Sequence, residues 1–332
     1  MDRRTALKSS LLLTGAFTVP SLSVKANRKQ VLQDGLNRTG LVVKMNDLEI
    51  MLFSDGHVML EKPQPVFAPQ TDALEFGKKL RELHLSDSSK LDLAINVMLV
   101  KKGNRIILID AGSGNHFGNN EGWLTASLAK GGIKTSDITD VFITHAHRDH
   151  IGGLVAKDGQ TIYPNARYYI AKVEYDFWMS ATPDFSKSKL GGEQANKSIL
   201  FTQKILNKIK DKLDFFGYDE ILFDCLRTEL AKGHTPGHTV FTLFSKDKSI
   251  KNIVDVFHSP VLINKPHWGT QWDVDFEQAI ETRIKILGNS SESNQLLMSS
   301  HLPFPGLGYI SKVNGEYNWI QFPASNPHEI IL

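Results

Sequence analysis

The chain has 332 residues, 41% hydrophobic and 22% charged. That is enough apolar material for one large domain or two ordinary ones, and it excludes wholesale disorder. Its 25 Gly and 13 Pro follow no triplet period, which excludes a collagen-like chain. The single cysteine, Cys225, excludes an intramolecular disulfide and a cysteine-rich zinc site. It reads as a buried small hydrophobe. Any metal must then be held by the 12 histidines and the carboxylates.

Residues 1–26 read as an export signal. Arg3, Arg4 and Lys8 precede a short apolar run from Leu11 to Val19, then Pro20 and small residues up to Ala26. The run is about half the ~20 residues that a membrane span needs, so no stable anchor is expected. The Arg3-Arg4 pair also resembles a twin-arginine signal, with Ala6 where a large apolar residue is usual. Cleavage would remove four basic residues and one acid, leaving residues 27–332 near neutral as a single domain outside the cytoplasm. A near-neutral chain has no electrostatic footprint for nucleic acid.

In chain order, Leu41–Phe53 predicts strands that end at Ser54-Asp55-Gly56. Leu93–Val100 and Arg105–Ile109 predict two strands around a turn at 101–104, the second ending in Asp110-Ala111-Gly112. A helix fits Gly122–Lys130, closed by Gly131-Gly132. Short strands follow at Val141–Thr144 and Tyr168–Ile170, then a helix over Val173–Met179. Ile199, Ile205, Ile209, Leu213 and Phe216 have helical spacing, with interleaved lysines that form a solvated face. Strands are predicted at Val240–Phe244, Ile253–Val256 and Gln295–Ser299, and a helix at Asp275–Leu287 opens on a capping-box spacing of Asp275 and Gln278. Asn314-Gly315 marks a hairpin. One large layered α/β domain with mixed sheets is expected.

Chemistry concentrates after the strand at 141–144. His145, His147, Asp149 and His150 fall within six residues. Three imidazoles and a carboxylate in one tight loop are costly as core and sensible as metal donors. Further donors stand at other strand ends: His234 and His238 in Gly233-His234-Thr235-Pro236-Gly237-His238, Asp255 after Val254, and His301 after Ser299-Ser300.

The ordered set of His145, His147, Asp149, His150, His238, Asp255 and His301 resembles the metallo-β-lactamase superfamily, over about residues 40–325. The resemblance implies an αββα sandwich of the α/β (α+β) class, two mixed β-sheets flanked by helices. It also implies two divalent ions, with zinc the default and manganese, iron or cobalt compatible with the same donors. By motif, His145, His147 and His238 would hold the first ion, and Asp149, His150 and His301 the second. Asp255 would bridge them, with Val254 where the family usually has Gly. Asp110-Ala111-Gly112 would support the site without binding metal. His234 is expected beside the site rather than on an ion.

The segment His301–Gly308, together with Asp176-Phe177-Trp178 and the export signal, resembles the methyl parathion hydrolase-like branch. The implied activity is hydrolysis of an ester, lactone or phosphotriester by a metal-bridging hydroxide, with Asp149 and Asp255 as the catalytic carboxylates. An N-acyl-homoserine lactone is the rival substrate, since lactonases use the same donors. A β-lactamase fits less well, because those enzymes often use Cys or place another residue where His150 stands. A non-catalytic metal-binding protein on the same scaffold is the alternative of a different class. Phe117, Trp178 and His258 are expected to line the substrate pocket. His57, His84, His116, His267 and His328 read as ordinary histidines. The expected partner is a small molecule, without nucleic acid, and a homo-oligomer stays open.

Overall fold

The computed structural model describes residues 40–332, apart from 87–89, 115, 117 and 327. The export signal over 1–26 and the side chain of Phe117 lie outside the described residues. Alternation along the strands builds the architecture. In the strand Leu48–Leu60, Ile50 and Leu52 face one apolar cluster, while Met51 and Phe53 face another. In Leu91–Lys102, Met98 and Val100 face the first cluster, while Val97 and Leu99 face the second. A strand buried on both faces must be apolar at consecutive positions, so these segments read as near-continuous hydrophobic runs.

Fifteen strands are described. The first seven are β1 (Leu41–Met45), β2 (Leu48–Leu60), β3 (Leu91–Lys102), β4 (Arg105–Ile109), β5 (Asp140–Ile143), β6 (Arg167–Ala171) and β7 (Leu213–Phe216). The rest are β8 (Ile221–Leu222), β9 (Leu226–Leu230), β10 (Thr239–Ser245), β11 (Lys248–Asn252), β12 (Leu297–Met298), β13 (Leu307–Val313), β14 (Glu316–Gln321) and β15 (Glu329–Ile331). They form an eight-stranded sheet, β15-β1-β2-β3-β4-β5-β6-β7, and a seven-stranded sheet, β14-β13-β12-β11-β10-β9-β8. Both are mixed: β1 to β4 pair antiparallel and β4 to β7 parallel, and β11 pairs parallel with β12.

The inter-sheet core includes Val43, Ile50, Met98, Ile109, Phe142, Phe241, Leu243 and Met298. Outside the first sheet, Val141, Ile143 and Ile170 pack with Leu124 and Leu128 of helix Leu124–Lys130, Trp178 of Lys172–Met179, and Ile205 and Leu206 of Gly192–Ile209. Outside the second sheet, Val240, Leu297 and Ile310 pack with Ile263 of Pro260–Asn264 and with Ile286 and Leu287 of Phe276–Ser293. The result is the expected αββα sandwich. Among the described residues no helix is long and apolar enough to cross a membrane.

One helix and one strand expectation are corrected. The helical spacing read from Ile199 to Phe216 holds only as far as Ile209, the end of helix Gly192–Ile209, and after a 3₁₀ turn Leu213–Phe216 pairs with β6 as an edge strand. The helical spacing of Leu213 and Phe216 is coincidental, and an aromatic-rich run suits a strand. The strand expected at 253–256 lies earlier, at Lys248–Asn252. There the Asn252 Oδ1 accepts the Val254 amide at 2.9 Å and turns the chain out of the sheet. Asp275 does cap its helix, accepting the Gln278 amide at 3.2 Å. The hairpin at Asn314-Gly315 joins β13 to β14, with φ of 51° and 85°.

Candidate metal centre

The donors leave the sandwich at one edge. β5 ends at Ile143, and the chain turns through His145 and His147 into a short helix, Arg148–Ile151, that carries Asp149 and His150. The loop before β10 brings His234 and His238, the turn after β11 brings Asp255, and the chain beyond β12 brings His301. The two sheets are joined there by the Thr239 amide, which donates to the Thr144 carbonyl at 3.0 Å.

Asp255 is the centre of the cluster. Its Oδ2 lies 3.0 Å from His301 Nε2, 3.3 Å from His258 Nε2, 3.4 Å from His234 Nε2 and 3.7 Å from His145 Nε2. Its Oδ1 lies 3.2 Å from His150 Nε2. Yet Asp255 Oδ1, His145 Nε2 and His150 Nε2 are buried with no hydrogen-bond partner. Buried polar atoms are rarely left so, and three converging orphans of the right chemistry fit cation donors. Ligand atoms lie within 4.8 Å of one another in four groups: His145, His147 and His234; His145, His150 and Asp255; Asp149, His150 and His301; and His234, Asp255 and His258.

This geometry corrects one expectation. His234, not His238, joins His145 and His147. His238 turns back into the fold: its Nδ1 is 3.1 Å from the Ala231 carbonyl, and its Nε2 accepts the Asp255 amide at 3.3 Å. His238 immediately precedes β10, so its side chain is set by the sheet, whereas His234 stands in the loop and can reach the edge. The remaining expected donors, His145, His147, Asp149, His150, Asp255 and His301, are brought together.

Cation binding takes neutral imidazole and ionised carboxylate, and the cluster divides on this: burial keeps some rings neutral, while against burial the neighbouring carboxylates hold His150 and His301 above the ordinary imidazole range. Burial pushes His145 and His147 well below the ordinary imidazole range. Burial likewise pushes His238 down to about 3 and His258 down to about 4. Burial would raise Asp255, but His150, His301 and His145 hold it well below the usual carboxylate range. Burial opposes charge on His234 too, but its bonds to Asp255 and Asp273 lift it to about 9.

Supporting groups aim the donors. His150 Nδ1 lies 2.8 Å from Asp110, which also accepts the Thr144 amide at 2.8 Å and its hydroxyl at 2.7 Å. In the neutral ring this bond would keep the proton on Nδ1 and leave Nε2, which faces Asp255, as the donor atom for a cation. Asp110 thus plays its expected supporting part, and it does so at a φ of 59°. His301 Nδ1 lies 2.9 Å from the Ala94 carbonyl, with the same effect.

Val254, where the superfamily usually has glycine, has a φ of 48°. For a β-branched residue this costs about 1–2 kcal/mol. Its complete burial between the sheets offsets that cost, and its carbonyl accepts from Ser299 and Ser300.

Sequence reasoning missed two buried carboxylates. Asp55 sits where β2 bulges between Ser54 and His57 and accepts the amides of Ser113 at 2.7 Å, Leu124 at 2.7 Å and Gly122 at 3.3 Å. Gly112 lets this loop close, because a Cβ there would lie 2.4 Å from Asp55. Glu174 ties the two histidine loops. It accepts the Ala146 amide at 2.9 Å and the Trp178 indole at 2.7 Å on one oxygen, and the Thr235 hydroxyl at 2.6 Å and the Gly237 amide at 2.9 Å on the other. A Cβ at Gly237 would meet the Glu174 amide nitrogen at 2.4 Å, so only glycine permits this approach. Neither residue lies in a motif, and nothing local marks it.

The donors open on a cavity of about 510 Å³. His147, Asp149, His234, Asp255, His258 and His301 line its floor, and Val58, Leu93, Leu190, Phe201 and Trp272 add apolar walls. His258 takes its expected place there, with a buried, unpartnered Nδ1. Trp178 does not. It is fully buried, bonded to Glu174 and packed edge-on behind His147 at 5.7 Å. Trp178→Ala is therefore expected to lower stability by about 3–5 kcal/mol and to depress turnover of every substrate together. A thermal melt beside kcat/KM for an aryl and an alkyl ester checks this. Loss confined to aryl substrates at unchanged stability would return Trp178 to the pocket.

Comparison with known proteins accords with this geometry. A metallo-beta-lactamase superfamily model matches residues 91–250. A search of curated proteins returned no match. Among solved structures, the chain is 36% identical to AidC, a dizinc quorum-quenching lactonase in complex with a product, N-hexanoyl-L-homoserine. That alignment covers 87% of this chain and 100% of AidC, with a TM-score of 0.82. The chain is 27% identical to AbOPH, a hydrolase in the beta lactamase superfamily, over 86% of this chain and 98% of that one, with a TM-score of 0.79. A probable metal-dependent hydrolase from Staphylococcus aureus shares the fold at 20% identity and a TM-score of 0.67, over 85% of this chain and 100% of that one. Identity of this extent over nearly nine-tenths of the chain means that it belongs to the metallo-β-lactamase superfamily and is a metal-dependent hydrolase.

Proposed function

We propose that the chain is a dinuclear lactonase acting on N-acyl-homoserine lactones or lactones of similar shape. The observation that carries this reading is the end-to-end similarity to a dizinc lactonase, at 36% identity. His145, His147 and His234 would hold one cation, Asp149, His150 and His301 the other, and Asp255 would reach both. Bound there, divalent ions polarise a carbonyl oxygen and make water acidic enough to ionise near neutral pH. The chain's own groups do the rest. Asp149, with about a fifth of its side chain exposed, is the carboxylate able to move a proton between the attacking water and the leaving oxygen. His258 borders the cavity with its Nε2 turned to Asp255, 3.3 Å away. Leu190, Phe201 and Trp272 give an acyl chain an apolar surface.

The test is a panel of an N-acyl-homoserine lactone, a p-nitrophenyl ester, a phosphotriester and nitrocefin, on protein of measured metal content. The lactone should give the highest kcat/KM, and the protein should carry about two ions per chain, on the donor count of two such sites. Chelation should abolish turnover, and zinc, manganese or cobalt should restore it. Active protein with a metal content near zero would end this reading. A phosphotriester turned over faster than the lactone would move the substrate class to the organophosphate side.

We also propose that the protein is exported, on the strength of the N-terminal pattern. Intact mass of the exported protein should place its first residue near Asn27. A soluble cytoplasmic chain that retains residues 1–26 would overturn this.

A further inference from the structure

A buried ion pair outside the donor set points at His234. Asp273 and Arg283 are 0% and 1% exposed. Asp273 Oδ1 lies 2.8 Å from His234 Nδ1. Its Oδ2 accepts the Thr270 amide at 3.2 Å and faces the Arg283 guanidinium at 3.5 Å. Arg283 is itself fixed on the Val256 carbonyl at 2.9 Å and the Trp268 carbonyl at 2.8 Å. The same segment grips the His234 backbone: the Val274 amide donates to the His234 carbonyl at 3.0 Å, and the Asp275 amide to the Gly233 carbonyl at 2.9 Å. His234 is thus gripped at both backbone and ring, and its Nε2 is left facing Asp255 and His147, at 3.4 and 2.9 Å.

We propose that Asp273, held in place by Arg283, is a positioning residue that keeps the His234 proton on Nδ1 and so presents the Nε2 lone pair to the cation shared with His145 and His147. The proposal rests on the dinuclear reading above. Its physics is that of a carboxylate behind a metal-binding histidine, which sets the ring's tautomer and angle. The pair also ties the ligand to the segment leading into Gln271 and Trp272 of the cavity lining, since Arg283 and Asp273 hold the backbone at Trp268 and Thr270.

The test uses Asp273→Asn, which keeps the volume. Its amide oxygen would take the two donors, Thr270 and Arg283, and turn the NH₂ toward His234 Nδ1, so the ring proton would move to Nε2 and block the lone pair. Cobalt titration against a competing chelator should find two ions on wild type. On the variant, with its fold intact by thermal melt, one ion should bind about 10- to 100-fold more weakly and the other unchanged. Nitrogen-15 histidine spectra of the zinc-loaded wild type should show the His234 proton on Nδ1. A variant that binds both ions as tightly as wild type overturns the proposal and leaves the dinuclear reading intact. If the variant does not fold, the wild-type spectrum decides alone, and an ion on Nδ1 with the proton on Nε2 overturns the proposal. A wild type that binds neither ion ends the dinuclear reading itself.

Discussion

Asp255→Ala is expected to strip metal from the protein and to lower kcat/KM by about 10²- to 10⁴-fold. Five imidazoles, those of His145, His150, His234, His258 and His301, face this one carboxylate within 3.7 Å. Losing the ions removes several kcal/mol of transition-state charge stabilisation, and each 1.36 kcal/mol on a barrier is about tenfold in rate. Asp255→Asn keeps the volume and loses the charge, so it should fall nearly as far. Elemental analysis after dialysis, beside kcat/KM, checks both variants. His238→Ala is the matched control. Its ring accepts the Asp255 amide but belongs to no donor group, so metal content should change less than in Asp255→Ala. An Asp255→Ala protein that kept two ions and activity within tenfold would remove Asp255 from the centre of the site.

The second large effect falls on a residue that touches no donor directly. Glu174→Ala should destabilise the protein by at least about 4 kcal/mol, since four donors lose their acceptor at about 1–3 kcal/mol each when buried. That is a large part of a typical stability of about 5–15 kcal/mol, and it should lower Tm by roughly 10 °C. The loss has a functional side. The Ala146 amide lies between His145 and His147, and Thr235 follows His234, so one carboxylate sets the relation of both histidine loops. Metal affinity should fall with stability. Glu174→Gln keeps one acceptor oxygen and a donor that the Thr235 hydroxyl can accept, so it should recover about half of the loss. A Glu174→Ala protein melting within about 2 °C of wild type would show that the loops are held by other means.

What the sequence determined by itself was the chemistry and the edge of the fold that carries it. His145, His147, Asp149 and His150 could be read because four donors in six residues have no use in a core. Asp255 and His301 could be read because they follow apolar strands. The inter-sheet core was equally legible, because strands buried on both faces are continuously apolar. What only the tertiary structure decided was orientation. His234 and His238 lie in one short loop, and no local rule separates them; the strand that begins at Thr239 turns one ring inward and leaves the other at the edge. Trp178 looked like a pocket wall by motif, but the helix carrying it turns its indole onto Glu174. Asp55, Glu174, Asp273 and Arg283 are single charged residues without pattern. Each acquires its role from a partner far along the chain: Ser113 is 58 positions from Asp55, Thr235 is 61 from Glu174, His234 is 39 from Asp273, and Val256 is 27 from Arg283. Such pairings are fixed by packing of distant segments, which leaves no periodicity for a reader of the chain to find.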